Sequence, residues 1–363
     1  MKKVYFDNAA TTPTNNKVLE EMAPFLKEQF GNPSSLHEFG EAPKKAVSEA
    51  RGRVAKLIGG EAGRIIFTSS GSEANNLAIK GIALANRKKG NHIIVSQIEH
   101  FSVFNPAKTL EKSGFEVTFL PVDGDGVVNP DDVKQAIKKE TILVSVMFAN
   151  NEIGTIEPIK EIVKITKERE VIFHTDAVAA AGIIPINTGD LGIDSLSLAG
   201  NMFFGPKGSG ALYLAKGVKV IPQIEGGIQE EGRRAGTENV AAIAGLGKAA
   251  EIALKKQRER MDYLIPLRER LSKGLLEKIE HSFLTGHPKS RLPGHVSICI
   301  KFIEGESMLM FLSMEGIAAS SGSACTSRAL KASHVLMAIG LPHEVAHGSL
   351  VFSLSSKNNK EEV

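Results

Sequence analysis

The chain has 363 residues, 42% of them hydrophobic and 23% charged. That is enough apolar material for two ordinary domains or one large one, and it excludes disorder as the main state. Its 44 Lys and Arg against 41 Asp and Glu give a formal charge of only +3, no electrostatic footprint for nucleic acid or an anionic membrane.

Two cysteines, Cys299 and Cys325, cannot build a disulfide framework and fit a reducing, cytoplasmic compartment. The opening carries Lys2 and Lys3 with no apolar run behind them, so it does not read as a secretory leader. No uncharged apolar stretch reaches the roughly 18 residues that a spanning helix needs.

Taken in chain order, short apolar runs alternate with amphipathic stretches. Arg64–Thr68 reads as a buried strand and Glu73–Arg87 as a helix. His92–Ser96 is a second strand, followed by helix to about Ser113. Phe115–Leu120 is a third strand and Pro130–Lys139 a helix. Ile142–Met147 is a fourth strand, Ile159–Arg169 a helix and Val171–His174 a fifth strand. Val- and Ile-rich strands separated by helices predict a parallel sheet covered on both faces. Lys255–Lys278 reads as a long charged helix. Beyond it, Val296–Lys301 reads as a strand and Ser307–Met314 as a helix, in a smaller α+β domain. The expected division is 15–255 for the large domain and 1–14 with 256–363 for the small one. The polar tail Lys357–Val363 is expected to be marginal in order.

Ligands of open parallel sheets bind at the carboxyl ends of the strands. The residues found there are Ser69-Ser70-Gly71-Ser72-Glu73, Glu99-His100, Asn150-Asn151-Glu152 and Thr175-Asp176. The small-residue turn at Gly71 and Ser72 opens a helix, whose free N–H groups suit an anion. Ser72 serves equally well as an N-cap. Asp176 is suited to hold a pyridinium nitrogen protonated, or to cap the next segment. His100 is suited to stack on a ring, or is a surface histidine. No spacing resembles a zinc site. Cys325 lies among small residues in Ala318–Ser327, which points to an exposed, reactive thiol. Cys299, in the alternating Val-Ser-Ile-Cys-Ile pattern, is expected in the core.

Eight segments follow one another in a familiar order. They are Phe6–Pro13, Phe30–Ser35, Ser72–Asn76, Asn150–Gly154, His174–Ala177, Gly205–Gly208, Arg234–Thr237 and Ser321–Cys325. Together they resemble the NifS/IscS cysteine desulfurases of the fold-type I pyridoxal-phosphate class, over almost the whole chain. The resemblance implies a mostly parallel seven-stranded sheet flanked by helices, a smaller α+β domain and a homodimer. It implies that Gly71 and Ser72, with Thr237 of the partner subunit, hold the cofactor phosphate. His100 then stacks on the ring, Asp176 faces the ring nitrogen and Asn151 lies near the ring hydroxyl. Cys325 matches the cysteine that takes sulfur from L-cysteine as a persulfide and passes it to an IscU-type iron–sulfur scaffold protein.

The chain also departs from that pattern. Where the family has Ser-Gly-His-Lys, it has Ala199-Gly200-Asn201-Met202, so Met202 stands at the Schiff-base lysine and Asn201 at its neighbouring histidine. Ala179 stands at a ring-contacting glutamine. Val351–Ser356 stands where the family reads Arg-Phe-Ser-Leu-Gly-Arg, so the arginine expected to clamp the substrate carboxylate is Val351. A thioether can neither tether the cofactor nor shuttle a proton, a role worth about 10²–10⁴-fold in rate. The expectation is therefore a desulfurase-like protein of iron–sulfur assembly with impaired turnover. Its Cys325 carries sulfur, or ligates a [2Fe-2S] cluster shared with the scaffold. Two alternatives stand beside it. One is an active desulfurase that uses non-covalently bound pyridoxal phosphate to give L-alanine and a Cys325 persulfide. The other is a non-enzymatic dimeric interaction subunit.

Overall fold

The computed structural model describes residues 3–322 and 332–363. Strand β1 (Val4–Tyr5) stands apart from the main sheet. That sheet contains β2 (Ile65–Thr68), β3 (His92–Ser96), β4 (Glu116–Leu120), β5 (Thr141–Ser145), β6 (Ile172–Asp176), β7 (Ser195–Ala199) and β8 (Gly210–Leu214). Their spatial order is β2-β8-β7-β6-β5-β3-β4. β3 to β7 are mutually parallel, and β8 runs antiparallel to both β7 and β2. The sheet is thus mostly parallel and seven-stranded.

One strand differs from the sequence reading. Ile65–Thr68 does not begin the parallel set; it closes the sheet's edge against β8. The Gly205-Pro206-Lys207-Gly208 turn reverses the chain after β7 and lays β8 beside it, so β2 meets an antiparallel neighbour.

Successive residues of the inner strands point to opposite faces, and each face has its own core. Ile94, Val144, Phe173 and Leu196 pack with α3 (Glu41–Leu57), α7 (Ile159–Glu168) and the first part of α9 (Val240–Lys278). Ile93, Val95, Leu143 and Leu212 pack with α4 (Gly71–Asn86) and α5 (Phe101–Lys112). The shorter helices are α1 (Asn16–Met22), α2 (Pro24–Lys27), α6 (Pro130–Ala136) and α8 (Thr188–Leu191). Helix α9 begins well before the expected Lys255. Its opening Val240–Ala253 is rich in Ala and Gly and almost entirely buried, so it lacks the polar face that periodicity detects.

A second core lies around β9 (Ser282–Leu284), β10 (His295–Ile300) and β12 (Ser349–Ser353), an antiparallel sheet ordered β12-β10-β9. Leu264, Leu267 and Leu271 of α9 pack there with Phe6, Ile298 and Phe352. β1 pairs in parallel with β11 (Ile317–Ala318), which follows α10 (Gly305–Met314). Helices α11 (His334–Ala338) and α12 (His343–Ala346) cover Cys299. Cys299 is fully buried, as expected, and burial pushes its thiol up to about 12.

The tail corrects another expectation. Asn358 is buried, with Nδ2 donating to the Tyr5 carbonyl at 3.1 Å and its own carbonyl accepting from Tyr263 Oη at 2.7 Å. These bonds fasten a segment whose composition alone reads as loose. Among the described residues no helix is long and apolar enough to cross a membrane.

Candidate active site

Helix α4 starts at the carboxyl end of β2. The N-cap is Ser70, not Ser72: Ser70 Oγ accepts from the Glu73 N–H at 3.1 Å. Glu73 Oε2 reaches back to accept from the Ser69 N–H at 2.8 Å, one residue before the cap, which ties the end of β2 to the first turn. Arg234 donates to Glu73 Oε1 at 2.7 Å and fastens the Arg234-Ala235-Gly236-Thr237 segment nearby. Burial raises the Glu73 carboxyl, but bonds from Arg234 and Ser69 outweigh it and hold the group below the usual glutamate range. Because Ser72 is not spent on capping, it stays exposed on the first turn. Gly71 is needed where it stands, since a Cβ there would lie 2.5 Å from Val178 Cγ2. The absence of a side chain lets the helix start close against the segment after β6.

Asp176 ends β6 and is buried. Its Oδ1 accepts from the Val178 N–H at 2.9 Å and its Oδ2 from Asn75 Nδ2 at 2.6 Å. It therefore caps the next turn and faces the site at once. Asn75 Nδ2 also donates to Ser102 Oγ at 2.8 Å, and Ser102 Oγ meets His100 Nδ1 at 2.7 Å. The Ser102 backbone N–H donates to the same nitrogen at 3.1 Å. A backbone N–H can only donate, so His100 Nδ1 is an acceptor and a neutral ring carries its proton on Nε2. Burial raises the Asp176 carboxyl above the ordinary aspartate range, opposed by His100 and by the bonds from Val178 and Asn75. Neither Asn75 nor Ser102 was singled out by the sequence reading. The available signal was a polar residue on the buried face of α4, one turn after Gly71.

The opposite wall is the turn after β7. Thr12 fixes it: its N–H and Oγ each donate to the Asn201 carbonyl at 2.8 Å, and Oγ accepts from the Phe204 N–H at 2.7 Å. Met202 sits in this turn at 7% exposure, packed into the main core. Val351, on β12, is 2% exposed.

These elements enclose one cavity of about 410 Å³. Gly71, Ser72, His100, Asn151 and Asp176 all line it, as do Ala179, Asn201, Met202 and Val351. Every position at which the chain departs from the desulfurase pattern, except those at the end of the Val351–Ser356 stretch, is a wall of this cavity. No described residue lining it is a lysine or an arginine. Thr237 is exposed and does not line the cavity of its own chain. Cys325 lies outside the described residues. Among the described residues no group of three or more His, Cys, Asp or Glu could hold a metal ion. Glu152 also lines the wall; its Oε2 accepts from Ser333 Oγ, and burial pushes its carboxyl up to about 8.

The profile of the class-V aminotransferases (Aminotransferase class-V) matches residues 4–363. The chain belongs to this family. The cysteine desulfurase IscS of Methanosarcina thermophila is 55% identical over 362 residues, covering 100% of this chain and 89% of that protein. The IscS of Dictyoglomus turgidum is 51% identical over 362 residues, covering 100% and 92%. A solved structure described as a NifS-like protein superposes with a TM-score of 0.93 at 37% identity, covering 99% of this chain and 96% of the other. The resemblance drawn from the motifs is thus a family membership, and the fold is that of the fold-type I enzymes.

Proposed function

We propose that this chain is a cysteine desulfurase-type protein of iron–sulfur assembly that binds pyridoxal phosphate without a covalent tether and turns over poorly. The family membership and the relatives' names support the class. The cavity fits the cofactor: its size suits a small ligand, and both the α4 N-terminus and the Asp176 carboxyl line it. In this reading the free N–H groups of Gly71 and Ser72 at the α4 N-terminus hold the phosphate, with Thr237 of the partner subunit. Asp176 accepts from a protonated ring nitrogen, and the positive charge there draws its raised carboxyl back to the ionised form. His100 covers the ring face, and Asn151 lies at the ring hydroxyl. When bound, pyridoxal phosphate supplies an electron sink for bonds at the α-carbon of an amino acid.

The observation that carries the reading is the composition of the cavity wall. Met202 offers no amine and Val351 no cation for a substrate carboxylate. Cys325, by contrast, remains as an acceptor of sulfur, which it passes to an IscU-type scaffold. The chain acts as a homodimer, divided into 15–255 and 1–14 with 256–363. The test is sulfide release from L-cysteine by the purified protein, alone and with Cys325→Ser. Turnover equal to that of the IscS relatives, abolished by Cys325→Ser, refutes the impairment. Anaerobic co-purification with a scaffold protein tests whether Cys325 instead ligates a shared [2Fe-2S] cluster; cluster retention unchanged in Cys325→Ala removes that role.

One observation favours a second reading, in which desulfurase turnover to L-alanine is retained. The Glu152 carboxyl lines the cavity and is pushed up to about 8, in range for general acid–base work. Sulfide release that is lost in Glu152→Gln supports it. A protein purified gently and wholly free of pyridoxal phosphate points instead to a non-enzymatic interaction subunit.

A further inference from the structure

Met202, Asn151, Ala179 and Ala9 line a second cavity as well as the first. It offers about 70 Å³, room for roughly five or six water-sized groups. Its walls are largely apolar, with Ile183, Phe203, Phe204, Met261, Leu264 and Leu292. Thr12, Asn151, His295, Ser353, Ser355 and Ser356 also line it, and two further polar side chains each carry a buried polar atom with no hydrogen-bond partner among the described residues.

The first is Arg260, from α9. Its Nε is buried with no hydrogen-bond partner among the described residues. Its guanidinium carbon lies 5.0 Å from the centre of the Phe204 ring. Phe204 is held at φ +68 by the bond from its N–H to Thr12 Oγ, so a strained residue supplies the surface on which the guanidinium rests. No carboxylate of a described residue lies within ion-pair distance of it; Glu259 acts on it only at longer range. Burial lowers its pKa, yet an arginine stays cationic. The second is Asn8, 7% exposed, whose Oδ1 is buried without a donor. Its Nδ2 is used, donating to the Ser353 carbonyl at 2.8 Å.

A half-buried cation without an anion and a buried acceptor without a donor are both unfavourable. One kind of ligand relieves both. A carboxylate satisfies Arg260, an amino group satisfies Asn8 Oδ1, and a short apolar side chain fits the walls. We propose that this cavity is a binding site for a small α-amino acid with a side chain about the size of a methyl group. Arg260 and Ser356 also line a surface groove carrying Lys17, Lys248, Lys255 and Lys256 against Glu251 and Glu259. That excess of positive charge favours entry of a carboxylate. The proposal goes beyond the reading above, because the site needs no bound cofactor.

Titrating the full-length protein with ¹³C-labelled L-alanine, with and without added pyridoxal phosphate, tests it by NMR. The expected result is saturable binding under both conditions, tighter than that of propionate or inorganic phosphate. Arg260→Gln weakens it about tenfold to a hundredfold, the worth of a charge-assisted bond. Arg260→Lys retains part of it. Ser356→Glu, at the exposed mouth, abolishes it by giving Arg260 an internal carboxylate. Asp176→Asn leaves it unchanged. The proposal is overturned by absence of saturable binding, or by binding that survives Ser356→Glu and Arg260→Gln. It is also overturned by loss in Asp176→Asn, or by propionate or phosphate binding as tightly as L-alanine. The Ser356 variant keeps the test decisive if Arg260→Gln melts early.

Discussion

Replacing Met202 by lysine tests the central claim that the cofactor pocket is intact but has no amine. Both side chains are long and unbranched, so Met202→Lys preserves the packed shape around the turn after β7. The change of charge dominates. At 7% exposure an ammonium loses most of its hydration, and fully buried lysines drop by up to about 3–5 pKa units. A drop of about 2–3 units corresponds to roughly 3–4 kcal/mol of lost stability at pH 7. The sign follows from linkage. The folded-state pKa lies below the unfolded value, so the loss is complete below the folded pKa and fades as pH rises toward the unfolded value of about 10.4. Pyridoxal phosphate held on that nitrogen would neutralise the buried charge or pair it with the bound group, and so would recover the stability. The variant should therefore melt several degrees below the wild type, regain most of the difference when cofactor is added, and carry it covalently after borohydride reduction. Intact-protein mass spectrometry reads the adduct. A wild-type protein that traps the cofactor on another side chain refutes the reasoning, and so does a well-folded variant that traps none.

Three further outcomes follow from the same geometry. Asp176→Ala removes the carboxylate between Asn75 and Val178 and should weaken cofactor binding by at least about tenfold, measured by fluorescence titration. Gly71→Ala brings a Cβ against Val178 and should push the α4 start off its seat, destabilising the fold by about 1–3 kcal/mol and reducing phosphate affinity; an unchanged affinity refutes the role given to that helix start. Glu157 is buried, with Oε1 unpartnered, and burial pushes its carboxyl up to about 8. A raised folded-state pKa favours the protonated form, so this group's contribution is full below about 4.5 and is lost as pH rises toward 8. Urea unfolding of Glu157→Gln should lose a component of a few kcal/mol from that pH dependence.

The departures Ala179, Ala199, Asn201, Met202 and Val351 are spread over more than 170 positions of sequence, yet they wall one cavity. Loss of structural constraint alone gives no reason for changes to gather there. Beside them, Asp176, Asn75, Ser102 and His100 keep an unbroken hydrogen-bonded chain, and Gly71 keeps the close helix start. On the proposed reading such a pocket binds its cofactor without efficient turnover, and binding is the quantity that tests it.

The order of apolar runs and helices was written in the sequence, because a strand buried on both faces must be continuously apolar and the helices between such strands must be amphipathic. The motifs carried the family, and the residue types at their departures carried the expectation of impaired turnover. Three things needed the folded chain. The antiparallel insertion of β8 and the buried start of α9 escaped because a Gly-rich turn and an Ala-rich helix have no contrasting periodicity. The roles of Ser70, Asn75 and Ser102 escaped because capping and relay bonds depend on distances that no spacing reveals. The unpaired Arg260 looked like one more charge on a charged helix, and only packing against Phe204 beside a largely apolar cavity makes it a group in need of a partner.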